Sequence, residues 1–173
     1  MTREKKTCAL SKVTMTEMVL PNDTNPLDNL MGGRLMHWMD IVSAIAAQRH
    51  SNSVVVTASV DNISFSKPIN LGNVVTLNAF VTRAFKTSME IYIQVIAEYI
   101  PTGEKVESHS AFFTFVAVDK MGVPTPIPEI TPETDFEKEL YAGALRRRQL
   151  RLILGKRMKP QDANELKALF DHD

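Results

Sequence analysis

Cysteine is almost missing from this chain. Cys8 is the only one, which excludes an intrachain disulfide and fits a reducing, cytoplasmic compartment. Net charge is missing too, since 20 Lys and Arg balance 20 Asp and Glu. No global field therefore draws the chain to nucleic acid or to an anionic membrane. No apolar run approaches the roughly 18 residues of a spanning helix. The opening MTREKKTCALSKV carries charge without the apolar stretch of a secretory signal. There is no GxSxG elbow, no Walker loop and no dinucleotide fingerprint, so the common serine, nucleotide and nicotinamide chemistries are not expected. His37, His50, His109 and His172 are scattered without ligand spacing. Each reads as structural or surface, and neither a metal nor another cofactor is expected.

What is present suits one soluble α+β domain. The 173 residues, 44% of them apolar, suffice for a single core. Residues 1–12 read as a flexible N-terminus, 13–120 as the folded domain, and 121–173 as a Pro-rich linker with a C-terminal helical extension. A first strand is expected over 13–20, followed by a turn-rich stretch PNDTNPLDN. Residues 31–49 then read as a helix apolar on nearly every side, which belongs inside a core. Four β-rich segments follow, over 53–65, 73–85, 88–100 and 105–119. In SMEIYIQVIAEYI the alternation of Met89, Ile91, Ile93 and Val95 with their neighbours marks an antiparallel strand. The short links SKPINLGN, KT and PTGE make hairpins of these strands. Four prolines in 121–133 exclude a sheet interior there. A second helix is expected over 134–157, with acids early, as the helix dipole prefers, and a short amphipathic piece over 161–173. An antiparallel sheet wrapped around one central helix is the compact arrangement of these parts. Its free edge and apolar flank predict dimers or larger assemblies.

Within the central helix sits an acid, Asp40. A buried carboxylate must find a partner or do chemistry. His37, one turn earlier, is the nearest structural partner, and the chemical alternative is a general base or nucleophile. Gly32 and Gly33 open the same helix, where unpaired backbone N–H groups form an anion site that can serve as an oxyanion hole. Tight helix packing is the plainer reason for two glycines. Asn25 lies in the loop before them, among Asn22, Asp23, Asp28 and Asn29, which compete for the same capping role. Gly33 and Asp40 are about 10 Å apart along a helix. If both act on one substrate, Asp40 must come from a second copy of the chain. The basic run 146–157 reads as a solvated face, with an anion site for phosphates as the sharper alternative, and Lys67, Arg83 and Lys86 near strand ends are further candidates to meet phosphates.

The stretches PNDTNPLDNLMGGRLMHWMD, VVTASVDNISFSKPINLGNVVTL, KTSMEIYIQV and SAFFTFVAVD together resemble the hot-dog acyl-CoA thioesterases. The likeness is to the cytosolic long-chain acyl-CoA hydrolase group and its single-domain bacterial relatives. It implies a hot-dog fold and hydrolysis of acyl-CoA to free acid and CoA, the CoA being part of the substrate. It also implies catalytic roles for Asn25 and Asp40, with Gly32 and Gly33 as the oxyanion hole. The CoA phosphates are expected near Lys67, Arg83, Lys86, Thr87 and Ser88. Shared sites in a homodimer, assembled as a trimer of dimers, follow from the same likeness. An acyl-CoA-binding sensor and a hot-dog dehydratase or hydratase are the competing readings.

Overall fold

The alternating segments form strands close to where their patterns put them. The computed structural model describes residues 3–61, 63 and 67–168. Along it run β1 (Lys5–Thr7), β2 (Val13–Met18), α1 (Gly32–Ser51), β3 (Val54–Val60), β4 (Val74–Ala84), β5 (Ser88–Tyr99), β6 (Glu104–Val118), β7 (Glu129–Thr131), α2 (Asp135–Leu154) and α3 (Asn164–Lys167). One antiparallel sheet has the spatial order β2-β4-β5-β6-β3, so β2 and β3 are its edges. The strand expected over 53–65 ends at Val60, and Asn62 and residues 64–66 lie outside the described residues. The same holds for His172 and the end of the expected C-terminal piece. Gly103, at φ 70°, closes the β5–β6 turn in a conformation that side chains with a Cβ resist.

One face of α1 lies on the sheet and explains the hydrophobic core. Leu35, Met39, Val42 and Ala46 recur at intervals of three and four and are buried. They face a sheet side that carries Leu77, Ile91, Ile93, Val95, Phe113 and Phe115, all buried as well. Alternation along β5 thus finds its core. Its other face is also covered over Glu90 and Tyr92. There Thr82 Oγ1 donates to the Glu90 carboxylate at 2.8 Å, and the Tyr92 ring lies 5.8 Å from Phe80 and 5.5 Å from Phe112.

Two expectations need correction. The helix is not buried all round. Met36, Ile41 and Ile45 sit 37–38% exposed, spread around the half of α1 turned away from the sheet, because the sheet of a single chain reaches only the opposite side. Second, short strands form within 3–12 and 121–133, where a flexible N-terminus and a Pro-rich linker were expected. β1 and β7 pair in parallel, Lys5 opposite Glu129 and Thr7 opposite Thr131. Cys8, Ile127 and Ile130 are buried beside this pairing. Ser11 Oγ accepts from the Val81 N–H at 2.9 Å, tying the segment to β4. The prolines are accommodated because β7 begins just after Pro128, whose carbonyl takes a bond from His50 at 2.9 Å.

The chain divides into two compact units, Met1–Thr131 and Pro132–Asp173. In the second, Thr134 caps α2: its Oγ1 accepts from the Glu137 N–H, and the Glu137 carboxylate accepts from the Thr134 N–H, both at 3.2 Å. Leu166 N–H donates to Gln149 at 2.9 Å and joins α3 to α2. Among the described residues no helix is long and apolar enough to cross a membrane.

Candidate active site

A cleft of about 330 Å3 opens at the N-terminus of α1, lined by Asn25, Gly32, Leu35, Lys67, Ile69 and His109 among others. The loop that carries Asn25 is closed on itself. Asn25 Oδ1 accepts from the N–H groups of Leu27 and Asn29 at 2.9 and 3.2 Å, and the Asn25 N–H donates to Asn29 O at 2.8 Å. Backbone N–H groups can only donate, so Oδ1 is committed to the loop. The side-chain NH2 is the group Asn25 has left to offer a ligand. Asp23, 3% exposed, anchors the base of the loop. Its carboxylate accepts from Leu20 N–H at 3.0 Å and from Arg34 Nε at 2.7 Å, and its carbonyl accepts from Met31 N–H at 2.9 Å. The Arg34 guanidinium in turn lies 5.5 Å from the Trp38 ring centre.

At the helix start, the N–H groups of Arg34 and Leu35 donate to Met31 O at 3.0 and 3.1 Å. Those of Gly32 and Gly33 meet no protein acceptor among the described residues. They are therefore two donors at the positive end of the helix dipole, and Gly32 is in the cleft wall. A Cβ built on Gly33 meets nothing within 4 Å, so crowding within this chain is not what requires glycine there.

Asp40 stands elsewhere. The expected acid hidden in hydrocarbon is half-buried on the exposed flank of α1, between Met36 and Ile45 in sequence. It does not line the Asn25 cleft. Its partner is not His37, which is exposed. Instead Thr57 Oγ1 donates to Asp40 Oδ1 at 2.7 Å. Sequence reasoning missed Thr57. A β-bulge follows it, because Thr57 opposes Phe115 while Ser59 opposes Thr114, and such bulges re-aim side chains. A threonine on an edge strand inside a recognisable motif was the available signal.

His109 was also missed as a cleft residue. Val95 opposes His109 and Ile96 opposes Glu107, so Ser108 is an inserted residue in β6. The bulge brings Ser108 Oγ to 2.6 Å from His109 Nδ1. Burial first, and then the Lys67 charge, hold the His109 imidazole below its usual range, favouring the neutral ring. Of the five residues expected to meet CoA phosphates, Lys67 alone lines this cleft. Arg83, Lys86, Thr87 and Ser88 surround the β4–β5 turn. Ser88 pairs with Val116, seven positions beyond His109 on β6, or roughly 20 Å at the rise of a strand. The cleft of one chain can thus hold a carbonyl oxygen against N–H donors, and it carries no carboxylate in its described wall.

Residues 27–103 match the family model described as Thioesterase superfamily. An uncharacterized acyl-CoA thioester hydrolase of Bacillus subtilis is 42% identical over 84% of this chain and 85% of its own length. A hexameric acyl-CoA thioesterase, solved without ligand, superposes with TM-score 0.85 at 38% identity, over 88% of this chain and 97% of that one. An acyl-CoA hydrolase from Staphylococcus aureus, solved with butyryl coenzyme A, coenzyme A and coenzyme A disulfide, gives TM-score 0.81 at 35% identity over 88% and 94%. Structures of that enzyme also exist with one aspartate, one asparagine or one threonine replaced by alanine.

Proposed function

Since the chain belongs to the thioesterase superfamily, we propose that it hydrolyses acyl-CoA thioesters to a free acid and coenzyme A, at sites built jointly by two copies. The thioester carbonyl oxygen lies against the N–H groups of Gly32 and Gly33, with the Asn25 amide holding the attacking water or the carbonyl. Asp40 of a second copy, oriented by its own Thr57, takes a proton from that water. The water oxygen bonds to the carbonyl carbon, negative charge collects at the glycine N–H groups, and the C–S bond then breaks. Thiols ionise near pH 8.5, so the thiolate leaves without a strong acid to protonate it.

The split geometry carries this reading: donors and Asn25 share one cleft, while Asp40 stands farther along the same helix, bonded to Thr57 of the edge strand β3. The relatives support the substrate class, since two with solved structures are an acyl-CoA thioesterase and an acyl-CoA hydrolase, the latter solved with butyryl coenzyme A. The three alanine-replaced residues of the Staphylococcus enzyme are spaced at the same intervals, 15 and 17, as Asn25, Asp40 and Thr57 here. A second copy covers Met36, Ile41 and Ile45 and meets the free edge of β3. A trimer of such dimers gives a hexamer like the relative's. The buried single cysteine suits a cytoplasmic setting.

Release of free thiol from a panel of acyl-CoAs, from two carbons to long chains, tests the activity. Turnover by wild type, with Asp40→Ala binding CoA but releasing no thiol, is the expected result. A wild-type protein that binds acyl-CoA and releases nothing contradicts hydrolysis and favours a sensor.

A further inference from the structure

Charge shifts at three atoms when a thioester is hydrolysed: the carbonyl oxygen, the attacking water and the sulfur that leaves. The reading above gives the first to Gly32 and Gly33 and the second to Asp40. It gives the sulfur nothing. A thiolate can leave without taking up a proton, yet its charge gathers inside a cleft, where a positioned donor counts for more than in water.

His109 is a polar side chain of that cleft, 6% exposed, that the reaction has not used. Its partner across the ladder, Val95, belongs to the side of β5 that faces α1, and residues directly opposite point to the same side of a sheet. The cleft thus has Gly32 on its helix wall and His109 on its sheet wall. Lys67, the cation of the lining, is exposed, and its Nζ reaches Glu107 O at 3.4 Å.

These surroundings decide what the ring can do. A general base must become a cation. Burial opposes that, and so do the Lys67 charge and the positive end of α1. No carboxylate in the described wall favours it. The same surroundings suit a neutral ring that donates to an anion. Ser108 Oγ lies 2.6 Å from Nδ1. A hydroxyl proton given to Nδ1 puts the ring proton on Nε2.

We propose that His109 is a catalytic residue for the departing sulfur, its Nε2–H donating to the thiolate as the C–S bond breaks, with Ser108 fixing that tautomer. The inference rests on the acyl-CoA reading and deepens it. The C–S electron pair passes to sulfur, and His109 keeps its proton. The proton taken from water stays on Asp40 of the second copy until solvent removes it.

The test carries one acyl group on CoA, on N-acetylcysteamine and on thiophenol, whose ring already stabilises its thiolate, in the full-length protein. His109→Leu is expected to lower kcat/KM about 10- to 100-fold on the two alkyl thioesters and by less than about threefold on the thiophenol ester. His109→Gln, which keeps an N–H donor, should recover most of the loss. Ser108→Ala should repeat the leaving-group pattern more weakly. Equal loss on all three esters would reduce His109 to a structural role, and no loss on any would leave the sulfur unassisted. A second measurement needs no turnover of the small esters. Ultraviolet absorbance of the CoA thiolate, titrated in the product complex, should give a lower thiol pKa in wild type than in His109→Leu. Equal values would contradict the hydrogen bond to sulfur. Each of these contrary results overturns the proposal while hydrolysis stands. Wild type inert toward the CoA ester overturns the acyl-CoA reading and this inference with it.

Discussion

The start of α1 and its middle are finished to different degrees. At the start, the Asn25 loop is closed by its own side chain, anchored by the buried Asp23 and its ion pair with the half-exposed Arg34, and bonded to the 67–73 segment. Donors are in place before any ligand arrives. In the middle, Asp40 accepts a bond from Thr57 and stands on the half of α1 turned away from the sheet, where Met36, Ile41 and Ile45 are exposed. Isolated exposed apolar residues are ordinary, but three spread over the sheet-free half of one helix, with a functional-type carboxylate among them, indicate a surface that something covers. The contrast teaches that one chain holds two half-sites rather than one whole site. About 10 Å of helix keeps them from meeting on the same substrate.

Substitutions that attack each half separately sharpen this comparison. Asp40→Asn should have the largest effect, lowering kcat by about a thousandfold or more with little change in melting temperature, since Asp40 is half-buried. A parallel fall in stability would make Asp40 structural. Next comes Ile45→Asp, which places a charge on the exposed flank. It should reduce the assembly to monomers and take most of the activity with it, as read by light scattering and thiol release on the same sample. An active monomer would break the two-half-site account. Thr57→Val removes only the 2.7 Å bond that orients Asp40, so a loss of about tenfold in kcat with KM held is expected.

The smallest effect concerns stability rather than chemistry. His50 is fully buried near the C-terminal end of α1. Desolvation first holds its imidazole below the usual range. The Lys6 charge adds to this, against the opposing pull of the Pro128 carbonyl and Glu4. The unfolded chain therefore takes up this proton more readily than the folded one. The stabilisation is complete above about pH 6.5 and is lost as pH falls from there through the folded-state value. His50→Gln should flatten the fall in melting temperature between about pH 7 and 5. His109 is shifted the same way, so some slope should survive the substitution.

Local pattern made much of the fold legible. Alternation at Met89, Ile91, Ile93 and Val95, the tight hairpin links and the 3.6-residue period of Leu35, Met39, Val42 and Ala46 are all short-range signals, and the elements appear where they point. Pairing of β1 with β7 joins residues more than 120 positions apart, and no window of sequence carries that. The exposure of Ile41 and Ile45 was illegible for a related reason. An all-apolar helix does not state which of its sides its own sheet covers. Gly32 and the distance to Asp40 could be reasoned from helix geometry alone, whereas Asn25 was singled out from its neighbours by the family resemblance. Thr57 and His109 could not, because each is aimed by a β-bulge, and a bulge depends on the register of the partner strand. Arg83, Lys86, Thr87 and Ser88 are near in sequence to the site strands but lie at the end of them far from the cleft of the same chain.

Mixing two inactive variants measures the split site most directly. Asn25→Ala and Asp40→Asn chains, each purified, are combined under conditions of verified subunit exchange and assayed for thiol release. A heterodimer then contains one site with both residues intact and one with neither. Random exchange should restore roughly a quarter of wild-type activity from two near-dead parents. Exchange confirmed by mass, with activity no higher than the parents, would mean that Asn25 and Asp40 serve the same chain, and the account would fail.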